Sequence, residues 1–167
     1  PQGNEVTEGE AGELLVRGIP GWTIMKGYFK DPDATARTIK DDWLWTGDIV
    51  EIDDAGYFRF VDRSKDMIKR SGENIAASEV EDVIKGHPKV ADVAVIGVPD
   101  EIRDESIKAF VILNAGKSST ADELIDHCRS KLSKFRVPEE IEFCDEFPRT
   151  SVGKIQKHIL RLIDQDK

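Results

Sequence analysis

DRSKDMIKRSGENIAASEVEDVIKGHP, residues 62–88, marks a change of pattern that decides how the chain is organised. Residues 69–75 read as a hairpin bearing lysine and arginine, with Ser71 and Gly72 at its tip. A glycine has no Cβ, so a ligand can pass close to its backbone. Ser78-Glu79-Val80-Glu81 then reads as a capping box, in which the hydroxyl and the Glu81 carboxylate each satisfy a free N–H at a helix start. Val80, Val83, Ile84 and His87 fall on one face of that helix, and Pro88 stops it.

Working downstream, residues 90–98 and 107–113 are β-branched runs suited to buried strands. Thr120-Ala121-Asp122-Glu123 is a second capping box, followed by Leu124, Ile125, Cys128 and Leu132 at helical spacing. A last helix is predicted over residues 154–163, opened by Lys154, with Ile155, Ile159 and Leu162 turned inward. Helices on a small sheet make residues 65–167 an α+β unit able to bury its own core. Upstream, residues 12–18 (GELLVRG) read as a strand, and Asp33 as the cap of a short helix over 34–39. Residues 43–52 and 57–62 flank Asp53-Asp54-Ala55-Gly56, a hairpin signal whose glycine can take the left-handed conformation. Residues 1–64 are thus β-rich, turn-rich and too polar to close a core alone, so the rest of their domain is expected before Pro1.

The formal charge is −9, with carboxylates spread along the chain. Such a surface repels phosphodiester backbones, because nucleic-acid binding relies on basic patches that displace counterions. A small nucleotide needs only a local cluster of donors. No apolar run approaches the roughly 20 residues of a membrane span, and no secretory or transit segment opens the sequence. A cytoplasmic protein is expected, with Cys128 and Cys144 as free thiols. His87, His127 and His158 have no acid or cysteine partner at ligand or triad spacing, and no metal site is assigned. Gly116-Lys117-Ser118 lies between strand and helix, but a P-loop needs glycine five residues earlier, where Val111 stands.

Three further motifs carry chemistry: Trp45-Thr46-Gly47-Asp48, the run from Asp62 to Ile75, and Pro148-Arg149-Thr150-Ser151-Val152-Gly153-Lys154. A carboxylate after a glycine turn, as at Asp48, can accept two charge-assisted hydrogen bonds from vicinal ribose hydroxyls. On spacing alone it could equally cap the hairpin loop. In this order and at these separations, the motifs resemble the adenylate-forming superfamily of acyl- and aryl-CoA synthetases, peptide-synthetase adenylation domains and firefly luciferase. The likeness runs from Gly12 to the last helix. The phrases IRDESIKAF, MIKRSGENI and GYFKDPDATA are similar to crotonobetaine/carnitine-CoA ligases.

The resemblance implies an AMP-forming acid–thiol ligase of fatty acid or carnitine metabolism, using ATP, Mg²⁺ and coenzyme A. Residues 1–64 would be the tail of a large adenylating domain, and 65–167 a mobile lid. Asp48 and Arg63 would bind the nucleotide, Lys65 would be the hinge, and Lys154 the catalytic lysine of adenylation. Lys69, Ser71, Gly72, Glu73 and Asn74 would line the pantetheine tunnel, where Ser71 replaces a glycine that many relatives carry. The triphosphate-gripping motif and the acyl pocket would lie upstream, so the chain alone is expected to be inactive. A domain loading a carrier protein, or a non-catalytic interaction module of the same fold, are the alternatives.

Overall fold

A computed structural model describes residues 5–7 and 9–166 of the chain. They form two compact units that divide between Lys65 and Asp66. The first holds β1 (Gly12–Arg17), α1 (Pro32–Thr38), β2 (Ile39–Lys40), β3 (Trp43–Ile52) and β4 (Phe58–Arg63). β3 is the hub, pairing antiparallel with each of the other strands. Gly56 takes φ +82° at the β3–β4 turn, where Asp53 Oδ1 accepts from the amides of Ala55 and Tyr57. α1 is capped by Asp31, not Asp33: its carboxylate accepts from Ala34 N at 2.8 Å. Pro32 then sits in the first turn, where it has no N–H to leave unsatisfied. Ile24 is the buried apolar side chain of this unit among the described residues, while Trp22 and Phe29 stand 89% and 88% exposed.

The second unit holds β5 (Met67–Arg70), β6 (Glu73–Ala76), α2 (Ala77–Lys85), β7 (Val90–Asp100), β8 (Asp104–Leu113), α3 (Ala121–Arg129), β9 (Glu140–Phe143) and α4 (Lys157–Gln165). Its sheet runs β6-β5-β8-β7, with β9 added parallel to β8. The α+β class is as the sequence implied. Val93 and Val95 of β7 and Ile107, Ala109 and Val111 of β8 face one core, with Val80 and Ile84 of α2 and Leu124 and Cys128 of α3. Ala94, Ile96 and Phe110 face the other way, onto Leu160 of α4 and Phe147. Coverage on both faces is why the two strands read as continuous apolar runs rather than alternating ones.

Both capping boxes form differently from the pattern. β6 runs straight into α2, so the cap position falls on Ala76 and Ser78 lies inside the first turn. Glu81 instead ties the helix to the sheet, accepting from Val95 N at 2.7 Å. At α3, Thr120 Oγ1 does accept from Glu123 N at 3.2 Å. The Glu123 carboxylate turns away, to Lys89 Nζ at 2.7 Å and Ser119 Oγ at 2.7 Å. The last helix starts at Lys157, not Lys154, because Gly153 at φ +83° and an Arg149–Ile155 bridge keep the preceding segment in a turn. Leu160 is its buried residue, while Leu162 is 57% exposed.

Lys108 enters the α4 side of the sheet almost wholly buried, where it meets Asp164 at 2.5 Å, Glu140 at 2.7 Å and Glu142 at 3.0 Å. Burial alone would lower its pKa, but hydrogen bonds to these carboxylates outweigh that and raise it, so the ammonium stays charged. Arg161 on the same helix pairs with buried Asp66 at 3.2 Å.

Sequence spacing misses a pair of rings: His87 and His127 meet edge to face at 4.9 Å, with Glu123 3.8 Å from His87 Nε2. Burial, then His127, lowers the His87 pKa from its ordinary 6.5, with Lys89 and Lys131 in the same direction and Glu123 opposed. The unfolded chain therefore takes up this proton at higher pH than the fold does. The contribution of His87 to stability is complete above about pH 6.5 and falls as pH drops towards its folded-state value. His87→Gln, which cannot titrate, is expected to flatten the decline of the thermal midpoint between about pH 7 and 5. An unchanged slope would place the acid sensitivity elsewhere.

Candidate functional site

In the first unit, β3 breaks its pairing at Thr46-Gly47-Asp48. Glu13 pairs with Ile49, yet Leu15 pairs with Trp45, so the segment bulges from the ladder. Gly47 makes this possible at φ +72°. The bulge is held by Thr46 Oγ1 donating to Leu14 O at 2.8 Å and by Gly47 N donating to Glu13 Oε1 at 3.0 Å. It presents the half-buried Asp48 opposite its register partner Arg63, whose Nε meets Oδ1 at 2.8 Å. Arg63 also donates to Thr46 O at 3.3 Å. Lys65 lies exposed in the 3₁₀ turn Ser64–Asp66, at the division between the units.

In the second unit, β5 and β6 form the expected hairpin with Ser71 at φ +51° and Gly72 at φ +85°. Two successive left-handed residues make a type I′ turn, whose twist matches the strands. Lys69, Ser71, Gly72, Glu73 and Asn74 all lie on the exposed surface, while Ile68, Arg70 and Ile75 point in. Beyond its single ladder pair with β8, the hairpin is fastened by side chains and loop backbone. Lys69 N donates to Glu105 Oε2 at 2.6 Å, and Ser71 N to Arg103 O at 2.9 Å. Arg70 reaches Phe135 O at 2.5 Å and pairs with Glu139.

Beside Arg70 opens a cavity of about 600 Å³ lined by Arg103, Arg129, Lys134, Leu132 and Glu139. Three cations beyond the hairpin line it, but Arg103 lies 3.7 Å from Asp100 and 3.8 Å from Glu139, and Arg129 pairs with Asp126 at 2.7 Å. Sequence reading missed it, because Arg70, Arg103, Arg129 and Lys134 are scattered and converge only when β8, α3 and the 3₁₀ turn Lys134–Arg136 meet.

Lys154 sits exposed on the turn before α4, its amide and carbonyl both bonded to Thr150. Lys117 N bonds Asn114 O around Gly116 in a plain turn. Among the described residues no group of three or more His, Cys, Asp or Glu could hold a metal ion. No described helix is long and apolar enough to cross a membrane.

The α+β unit with its type I′ hairpin and glycine-turned lysine, and the β-bulge carboxylate of the first unit, are features that the comparisons with known proteins match. Residues 79–154 match the family model of the AMP-binding enzyme C-terminal domain. Over 161 residues, 96% of its length, it is 47% identical to the crotonobetaine/carnitine–CoA ligase of Salmonella arizonae, and covers 31% of that protein. Among solved structures, ATP-bound MatB from Rhodopseudomonas palustris superposes over 99% of this chain and 32% of its own, with a TM-score of 0.87 and 32% identity. The o-succinylbenzoate CoA synthetase of Bacillus subtilis, in complex with its acyl-adenylate, superposes over 96% and 32%, with a TM-score of 0.86 and 33% identity. The chain therefore spans about a third of the length of the relatives it matches.

Proposed function

We propose that this chain is the C-terminal part of an ATP-dependent acyl-CoA ligase, joining a carboxylic acid to coenzyme A through an acyl-adenylate with release of pyrophosphate and AMP. The observation that carries the choice of thiol is the cavity bearing Arg103, Arg129 and Lys134 beside the Ser71–Gly72 hairpin. Coenzyme A bears a diphosphate and a further phosphate on its nucleotide end. Lys134 would meet that charge, as would Arg103 and Arg129 on exchanging Asp100, Glu139 and Asp126 for phosphate; a carrier protein presents one phosphodiester. The exposed hairpin edge of Lys69, Ser71, Gly72, Glu73 and Asn74 would guide the pantetheine arm.

In the first step Asp48 Oδ2 accepts from the ribose hydroxyls while Oδ1 stays on Arg63, which orients the carboxylate. Lys154 brings a mobile positive charge to the phosphorus as the acyl carboxylate attacks and the pyrophosphate leaves. Mg²⁺, when bound, would neutralise the triphosphate. The lid, residues 65–167, then turns about Lys65 at its start, withdrawing Lys154 and bringing the hairpin to the adenylate. Residues 1–64 complete the large domain. The acyl substrate we infer is a small acid of the crotonobetaine or carnitine type, with the enzyme in the cytoplasm. The test uses the full-length protein containing this chain: acid-dependent exchange of labelled pyrophosphate into ATP, then competition between coenzyme A and a phosphopantetheinylated carrier. Exchange and preferential coenzyme A thioester are expected. Carrier loading in preference, or no exchange with any acid, would overturn the reading.

A further inference from the structure

We propose that Asp92, Arg149 and Thr150 are positioning residues for Lys154, forming a chain of contacts that fixes its backbone to the sheet; this rests on the adenylation reading above. Lys154 has a long flexible stem in solvent, so the direction of its amine is set by where its Cα is held. Thr150 holds it on both sides: Lys154 N donates to Thr150 Oγ1 at 3.1 Å, and Thr150 N donates to Lys154 O at 2.8 Å. Gly153 closes the turn at φ +83°, with its N–H on Thr150 O at 2.9 Å. At the neck, Gln156 N donates to Pro148 O at 2.8 Å.

The turn would still pivot on its neck without an outside anchor, and Arg149 supplies one. Its Nη1 donates to Gly153 O at 2.9 Å, next to Lys154, and its Nη2 to Asp92 Oδ2 at 2.5 Å. Asp92 sits on β7 just after a register shift in its pairing with β8, and a bulge re-aims a side chain. Its other oxygen is locked by Lys85 Nζ at 2.6 Å and Val93 N at 3.1 Å. The fork of one guanidinium thus bridges the rigid sheet and the residue before the lysine. Lysine at 149 could reach one of these acceptors but not both in the same geometry. The Arg149 and Asp92 side chains are 40% and 23% exposed, and ion pairs that open to water add little to stability. Their contribution is therefore to geometry, and removing them should leave the fold intact.

The experiment measures single-turnover adenylation and thioester formation from supplied acyl-adenylate in the full-length enzyme. Thr150→Val, Arg149→Lys and Asp92→Asn are compared with Lys154→Ala, and Thr150→Ser serves as the conservative rescue. Misplacement of a reacting group by about 1 Å costs up to roughly 10²-fold. Thr150→Val and Arg149→Lys are expected to slow adenylation between about 10- and 10²-fold, with little change in KM for ATP. Thioester formation should slow much less, and Thr150→Ser should restore adenylation. A purely structural role would slow both steps together and lower the thermal midpoint. If Arg149→Lys and Thr150→Val adenylate at the parental rate while Lys154→Ala does not, the positioning chain is wrong and the role of Lys154 stands. If Lys154→Ala adenylates at the parental rate too, both fall.

Discussion

Lys154→Ala is expected to slow acyl-adenylate formation by about 10²–10³-fold, some 3–4 kcal/mol of transition-state stabilisation. The magnitude follows from the type of contact. A preorganised charge aimed at charge that develops only as phosphorus is attacked contributes to the barrier and little to ground-state binding. The loss should therefore fall on kcat, with KM for ATP changed far less. Lys154 is exposed and precedes α4, with Gly153 rather than a helix turn behind it. Truncation should accordingly leave the thermal midpoint where it was, and a large fall in stability would argue that the rate loss is not chemical. Lys154→Arg keeps the charge on a planar, bulkier head and should recover only part of the rate.

The largest expected effect on stability is at Lys108. Lys108→Met keeps the length of the stem but leaves Asp164, Glu140 and Glu142 facing one another around an apolar group. Removing one partner of a buried charge cluster costs about 3–5 kcal/mol, since the remaining charges keep their desolvation penalty. Glu140 is the most exposed of the three and can swing to water, which favours the lower end of that range. The sign of the pH response separates this from simple loss of packing. Acid neutralises the carboxylates, so the deficit of Lys108→Met should shrink as pH falls. Denaturant titrations at two pH values would check it; a deficit independent of pH would make the cluster incidental.

Much of this arrangement is legible in local chemistry. The β-branched runs of β7 and β8, the Ser71–Gly72 turn and the Asp53–Gly56 hairpin follow from residue types that hold the backbone within a few positions. What eludes the sequence is where side chains go once elements meet. Ser78 and Glu81 fit a capping box, but β6 enters α2 without a loop and Glu81 serves the sheet instead. Lys154 fits the start of an amphipathic helix, but Gly153 and the Thr150 bonds delay it to Lys157. Lys108 hides within an apolar run because its carboxylate partners lie on β9 and α4. Asp48 illustrates the intermediate case: Thr-Gly-Asp signals a turn, while the bulge that sets its carboxylate against Arg63 depends on the register of β1 and β4. The cavity beside Arg70 is legible nowhere in particular, since it is assembled from separate segments.

The central claim is that one chain serves two half-reactions with different surfaces, Lys154 in adenylation and the Ser71–Gly72 hairpin in thioester formation. Gly72 is suited to test it, because a Cβ there meets no heavy atom within 4 Å and φ +85° is its main constraint. Left-handed backbone costs a substituted residue roughly 1–2 kcal/mol, a stability effect common to both steps. Any further selective loss in Gly72→Val would come from a molecule passing the hairpin. The decisive measurement is single-turnover timing of both half-reactions in full-length Lys154→Ala and Gly72→Val, starting once from acid and ATP and once from the acyl-adenylate with coenzyme A. The account predicts a crossing pattern, with adenylation lost in Lys154→Ala and thioester formation lost in Gly72→Val. Equal slowing of both steps by Lys154→Ala would contradict it.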